Sequence, residues 1–481
     1  AWPEEENGEG EDMTKEASST ENVPTLSVEV HSNCEEGGDS AVSIRIDVPE
    51  LPGGATRQPV DICCAVDISG SMQQLAKYET DDGTMKDDGL SILDIVKHGV
   101  KTIMHTLEDQ DRLAIVAFNA NATTVLPLTH MTTEGRQAAT VALEELRPSG
   151  KTNIWDGLLH GMNCLRGVPT STTAEVAEEE AAHEPTRRQA VMLLTDGQPN
   201  VQPPRGHIVE LQNYKDQYTG FDFQLNTFGF GYSLDSKLLV DLAVAGHGTY
   251  AFIPDAIILG TVFVNSVANF TSMYSQDATL NLLPRAGATF SDNGTKAVHG
   301  DFEASAESWG VAVHLGPLQH GQARECVASM TIPSGTKPYL DAVLTFAGPD
   351  EQRVRVEATA ATRVASSRSN TAWLRSQIVS KTNEAIRLAE NGSGKEAVAL
   401  VQDLQEELEA GIAASEGSEE NIELKMLHSD VAGRLSKAFR GKKRFDRWGK
   451  HYLRALVRSH QLIQCTNFMD PGLQGYGGEH F

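Results

Sequence analysis

Residues 67–72 read DISGSM, directly after the apolar run PVDICCAV (59–66) and before the charged stretch YETDDGTMKDDG (78–89). A carboxylate and two hydroxyls, spaced two apart where a buried strand ends, admit catalysis, metal binding or a plain helix cap. The surrounding texture narrows the fold. VDICCAV, RLAIVAF (112–118), AVMLLT (190–195) and FQLNTFGFG (223–231) are nearly continuous apolar strands. Helix candidates lie between them: SILDIVKHGVKTIMHTL (91–107), TEGRQAATVALEEL (133–146) and NIWDGLLHGMNCL (153–165). Strands that are apolar throughout need cover on both faces, so the alternation predicts an α/β domain with a mostly parallel, doubly wound sheet.

In such a sheet ligands gather at the carboxyl ends of the strands, near the reversal in strand order. Three polar loops meet that requirement: DISGS, SGKTNIWDG (149–157) and TDGQPN (195–200). Together they offer Asp67, Ser69, Ser71, Thr152 and Asp196, all hard oxygen donors. Mg²⁺ demands near-octahedral oxygen geometry and keeps some waters. Two carboxylates balance its charge, three neutral hydroxyls supply much of the shell, and a position stays open for a carboxylate from outside. Mn²⁺ and Ca²⁺ are the alternative ions. Any one loop reads equally well as a turn or an N-cap. The three in the proper order point to one shared ion.

DISGSM, SGKTNIWDGL and LLTDGQPN resemble the metal-ion-dependent adhesion site of the von Willebrand factor A domain family. Its DxSxS pattern matches Asp67, Ser69 and Ser71, its Thr matches Thr152 and its later Asp matches Asp196. The resemblance implies a Rossmann-like doubly wound sheet with one antiparallel edge strand. It also implies direct metal contacts from Ser69, Ser71 and Thr152, with Asp67 and Asp196 often acting through water, and a protein ligand that offers Asp or Glu. Movement of the last helix of the domain (255–270) is the implied route of coupling. A narrower resemblance, carried by NTFGFGYSLDSKLL, GHGTYAFIPD and FDRWGKHYLRALVRSHQLIQCTNFMDPGLQGYGG, is to A-domain proteins that precede a hedgehog/intein-type (Hint) module. Some of those stand beside ubiquitin-related modules. The Hint module itself is expected to be absent here, so self-processing is not assigned.

The rest of the chain divides by pattern. Residues 1–24 read as a disordered acidic tail. LSVEV (26–30) and VSIRIDV (42–48) alternate with period two, as do ATLNLL (278–283), VAVHL (311–315), CVASMTI (326–332), LDAVLTF (340–346) and RVRVEA (353–358). That is an antiparallel pattern. The early strands (25–57) are expected to complete a β-sandwich (273–365) into which the α/β domain (58–272) is inserted. A helical hairpin or bundle (366–465) follows, with Ser393 and Glu396 as a candidate capping box. A Gly-rich tail (466–481) ends the chain. The acidic insert 170–184 reads as a solvated loop, and 78–89 as a mobile rim without EF-hand spacing.

Composition excludes several functions. A net charge of −26 argues against nucleic-acid binding. No stretch of ~18 apolar residues is present, so no membrane span is expected. Six cysteines without CxxC spacing predict reduced thiols. The expected compartment is the cytoplasm, with secretion as the alternative. A haloacid-dehalogenase-like phosphohydrolase would need an acid at the Ser69 position, a serine hydrolase a G-x-S-x-G elbow, a zincin an H-E-x-x-H. None of these is present, so a non-enzymatic, metal-dependent protein-binding module is the leading reading. An Mg²⁺-dependent hydrolase and a ubiquitin-pathway adaptor or tether are its rivals. The basic stretch 440–460, with Lys442, Lys443 and Arg444, is a candidate partner site, against the plainer reading of a solvated helix face.

Overall fold

The computed structural model describes residues 23–30, 39–53, 55–79, 84–168, 186–292, 294–335, 337–348, 352–361, 366–418 and 420–477. The acidic tail (apart from residues 23 and 24) and the whole of the acidic insert, 170–184, lie outside them.

The α/β domain is built on a six-stranded sheet. Its spatial order is Tyr250–Ile253, Gln224–Phe230, Arg188–Thr195, Val60–Asp67, Arg112–Phe118, Ala122–His130. Only the last pairing is antiparallel. Every residue of Val60–Asp67 is buried, because alternate side chains enter two different cores. Cys63 and Ala65 pack with Leu158 and Met162 of the Ile154–Leu165 helix. Ile62, Cys64 and Val66 pack with Val96 and Val100 of Ile92–Thr106 and Phe263 of Leu259–Thr271. The chain moves to one side of Val60–Asp67 for its next strand and to the other for Arg188–Thr195, so the order reverses at the strand that ends in Asp67.

The two early strands, Thr25–Val30 and Asp39–Asp47, pair with each other, and Asp39–Asp47 pairs antiparallel with Ala323–Thr331. The α/β domain therefore interrupts the sandwich in sequence. The facing sheet runs Glu303–Glu307, Gly310–Gln319, Met273–Pro284, Leu340–Ala347, Arg353–Ala360. Val42, Ile44 and Ile46 bury against Leu280, Leu282, Val313 and Leu344, which is the hydrophobic partner that the early strands lack on their own.

Helices Ser367–Glu390, Gly394–Ala414, Glu420–Asp430 and Lys450–Leu462 form the C-terminal region. Their core is continuous with one face of the α/β domain: Tyr452, Leu453 and Leu456 join Leu239, Tyr250 and Phe252 in one cluster. Ser393 precedes its helix but makes no capping bond, so the expected box is not formed there. A capping box does form in the α/β domain, at the start of Ile92–Thr106, where Ser91 and Asp94 each accept the other's backbone N–H. Within the Gly-rich end, Leu473 and Tyr476 are buried, and the Tyr476 hydroxyl meets Arg375 and His460. Of the charged stretch after DISGSM, the described part lies in a two-stranded ribbon, Leu75–Glu79 with Met85–Ser91, and residues 80–83 lie outside the described residues.

Candidate metal centre

Asp67 closes its strand, and the backbone turns at once into a short 3₁₀ segment, Gly70–Gln73, entered through Ser69. The turn folds back on the carboxylate. Ser69 N–H donates to Asp67 Oδ1 at 2.7 Å and Thr195 Oγ1–H donates to Oδ2 at 2.5 Å. The two serine hydroxyls lie 3.1 Å apart, and Ser71 Oγ donates to Asp196 Oδ1 at 2.9 Å. Four of the five sequence-selected side chains are thus joined in a chain of short contacts.

Thr152 joins them through the third loop. Ser149 N–H donates to the Ile68 carbonyl (2.7 Å) and Gly70 N–H to the Gly150 carbonyl (3.1 Å), which stitches the first two loops together. Thr152 N–H donates to Asn200 Oδ1 at 2.7 Å, and Asn200 N–H returns to the Thr152 carbonyl at 3.1 Å, which stitches the second to the third. A Cβ on Gly197 would stand 3.5 Å from Thr152 Oγ1 and 3.8 Å from Ser71 Oγ, so both hydroxyls border the space that this glycine leaves open.

The electrostatics are unusual for a surface loop cluster. Asp67 is fully buried, and Ser69, Thr152 and Asp196 nearly so. Burial raises the Asp67 carboxyl above its ordinary value, against the hydrogen bonds from Thr195 and Ser69. Burial, and then the charge of Asp67, push Asp196 up to about 7, against the bond from Ser71. Among the described residues no Lys, Arg or His forms an ion pair with either acid. Two close, desolvated carboxylates without a counter-charge are costly. A bound divalent cation would remove that cost, and the five oxygens fit a hard ion. Among the described residues no group of three or more His, Cys, Asp or Glu is placed to hold a metal. A site here depends on the hydroxyls.

Sequence reasoning missed Thr195 and Asn200, which orient Asp67 and Thr152. Thr195 ends an apolar strand and Asn200 reads as an ordinary turn residue, so neither stands out locally. The second candidate site is separate. Lys442 and Lys443 are exposed, Lys442 pairs with Asp446 at 2.7 Å, and Arg444 lies over the Trp448 ring at 5.6 Å. Trp448, Tyr452, Leu453 and Leu456 are buried, so the stretch offers no apolar face to a membrane from these residues. Among the described residues no helix is long and apolar enough to cross one.

Comparison with known proteins agrees with this architecture. Residues 61–261 match the family described as von Willebrand factor type A domain, and residues 421–481 match the one described as VWA / Hh protein intein-like. Inter-alpha-trypsin inhibitor heavy chain H3 of Homo sapiens is 27% identical over 198 residues, 41% of this chain and 19% of that protein. The Bos taurus protein of that name is 27% identical over 258 residues, 52% of this chain and 26% of its own length. A probable E3 ubiquitin-protein ligase of Arabidopsis thaliana, WAVH2, is 22% identical over 259 residues, 52% of this chain and 32% of that protein. The chain therefore spans about a fifth to a third of these relatives. Among solved structures, a von Willebrand factor type A protein from Catenulispora acidiphila superposes with a TM-score of 0.58 at 17% identity, covering 86% of this chain and 91% of that one. That likeness speaks to the fold alone, and it extends well beyond the α/β domain.

Proposed function

From the premise that residues 61–261 are a von Willebrand factor type A domain, a protein-interaction module, we propose that this chain binds an acidic side chain of a protein partner through a divalent cation, Mg²⁺ first. The observation that carries the proposal is the pair of buried, uncompensated carboxylates, Asp67 and Asp196, bordered by three hydroxyls. Ser69, Ser71 and Thr152 would hold the ion directly, with Asp67 and Asp196 balancing its charge. When bound, the ion supplies a Lewis-acidic position for a carboxylate from outside. This chain's own residues do the rest. Thr195 and the Ser69 N–H fix the Asp67 carboxylate, the Asn200 bridge fixes the Thr152 loop, and burial keeps water from competing for the donors.

A non-enzymatic role accords with the same geometry. Ser71 donates to a carboxylate, and among the described residues no histidine bonds to Ser69, Ser71 or Thr152 to act as a base. The Arabidopsis ligase similarity keeps an adaptor role in the ubiquitin pathway as the second reading. Capture from native lysate with Mg²⁺ against EDTA, with wild type and Asp67→Ala, tests the proposal. Partners retained only by wild type in Mg²⁺, and lost when their own contacting acid becomes an amide, are expected. Partners that ignore both EDTA and Asp67→Ala would refute it.

A further inference from the structure

A different cavity lies at the other end of the sheet, where both connections between the α/β domain and the sandwich pass side by side. Its volume is about 410 Å³, and its walls come from residues 49–52 and 56–58 on one connection and 268 and 271–274 on the other, with Arg188 and His320. That is within the ~300–1,000 Å³ typical of small-molecule sites, and domain junctions are where such sites concentrate. Leu51, Pro52, Ala268 and Met273 give it apolar walls.

Among the described residues the charged groups around it are committed, with one exception. Arg57 holds Asp111 with two bonds, at 2.9 and 2.6 Å. The Glu50 carboxylate folds over the turn at Gly321, where an added Cβ would meet it at 2.5 Å. His320 Nδ1 lies 3.1 Å from the Pro49 carbonyl. Arg188 differs. Its Nη2 donates to the Tyr274 carbonyl at 3.0 Å, and among the described residues no acid offsets its charge. Burial alone brings its guanidinium down to about 10. A partly desolvated arginine with donors to spare, set in an apolar cavity, is a ready receptor for a planar anion.

We propose that this junction cavity binds a small amphipathic carboxylate, with its apolar body against Leu51, Pro52, Ala268 and Met273 and its head on Arg188. One uncompensated guanidinium selects a single negative charge, and the apolar walls select a hydrocarbon body over a free inorganic anion. Because the walls belong to both connections, the ligand ties the α/β domain to the sandwich at the point where the chain passes between them. The inference does not rest on the metal centre. The two sites lie at opposite ends of the strand Arg188–Thr195, some 25 Å apart at ~3.3 Å per residue.

Calorimetric titration of the whole chain with decanoate, decanol and decylammonium tests it. Wild type is expected to take up one decanoate, at least tenfold more tightly than decanol, with decylammonium weakest. Arg188→Gln should weaken decanoate at least tenfold and leave decanol unchanged, and Arg188→Lys should restore part of the loss. Ala268→Trp, which fills the cavity, should abolish uptake of both. Asp67→Ala should bind decanoate as wild type does. No saturable uptake of decanoate by wild type, equal affinity for the three head groups, or decanoate binding indifferent to Ala268→Trp would each overturn the proposal. The head-group ranking is read on wild type and decides the matter should Arg188→Gln fail to fold.

Discussion

One strand carries two buried aspartates with opposite fates. Asp61 and Asp67 both lie on Val60–Asp67 and both are fully buried. At the amino end, Asp61 accepts bonds from Arg112 (2.9 and 2.7 Å) and Arg187 (2.7 Å). Burial by itself would raise its carboxyl, but the two guanidinium groups bring it below its ordinary value. At the carboxyl end, among the described residues, Asp67 accepts only from a hydroxyl and an N–H, and burial leaves it raised. The lower end is a finished structural joint. Among the described residues the upper end holds its acid without a paired cation, although the same strand pairs a buried acid twice over at its other end.

That contrast can be broken from either side. Asp61→Asn removes the acid and strands two arginines, so chemical unfolding should show a loss of about 3 kcal/mol. Asp196→Asn in metal-free protein should do the reverse of harm, leaving stability within about 1 kcal/mol of wild type or above it, since it deletes an uncompensated charge. Equal losses in the two variants would erase the distinction between the two ends. Saturating Mg²⁺ at about 100-fold over its dissociation constant should then stabilise wild type by about 2.7 kcal/mol, seen as a raised melting temperature, and should leave Asp196→Asn unmoved.

Smaller effects sharpen the comparison. Thr152→Val removes one neutral donor while keeping the shape, so metal affinity in a titration should fall about tenfold, or about 1.4 kcal/mol. His451 shows a third way to bury a titratable group, by keeping it neutral. Burial, then the charges of Lys450 and Arg454, hold its imidazole down to about 3, and its Nδ1 lies 2.8 Å from Ser236 Oγ. In the unfolded chain it titrates near ~6.5. The unfolded state therefore takes up the proton first. The contribution of His451 is complete above that value and is lost as pH falls toward 3, by at most about 1.4 kcal/mol per pH unit. Melting curves from pH 7 to 5 should be flatter in His451→Gln.

The site was legible in the sequence because each of its loops follows or precedes a segment whose burial is written in its own composition. VDICCAV and AVMLLT place Asp67 and Asp196 at strand ends without any knowledge of what lies beside them. The alternation in VSIRIDV likewise announced a strand in need of a partner, and Ala323–Thr331 supplies it. What could not be read depends on residues remote in sequence. Thr195 reaches Asp67 across 128 positions, Arg187 reaches Asp61 across 126, and Arg375 pairs with Glu325 across 50. The merging of the C-terminal helices into the core of the α/β domain is hidden for the same reason. Trp448, Tyr452 and Leu456 recur at i, i+4, which says that a face is buried but not against what. Ser393 looked like a cap by spacing, yet its hydroxyl caps nothing, whereas Ser91 and Asp94 complete the box within the sequence that opens the first helix of the domain.

As proposed, Asp67, Ser69, Ser71, Thr152 and Asp196 together form a receptor for one divalent cation. Calorimetric titration of metal-stripped protein with Mg²⁺, and with Mn²⁺ as a second ion, tests it most directly. One ion per chain is expected in wild type and no measurable uptake in Asp67→Asn at the same concentrations, with both proteins folded. Absence of uptake in wild type, or equal uptake in Asp67→Asn, would contradict it.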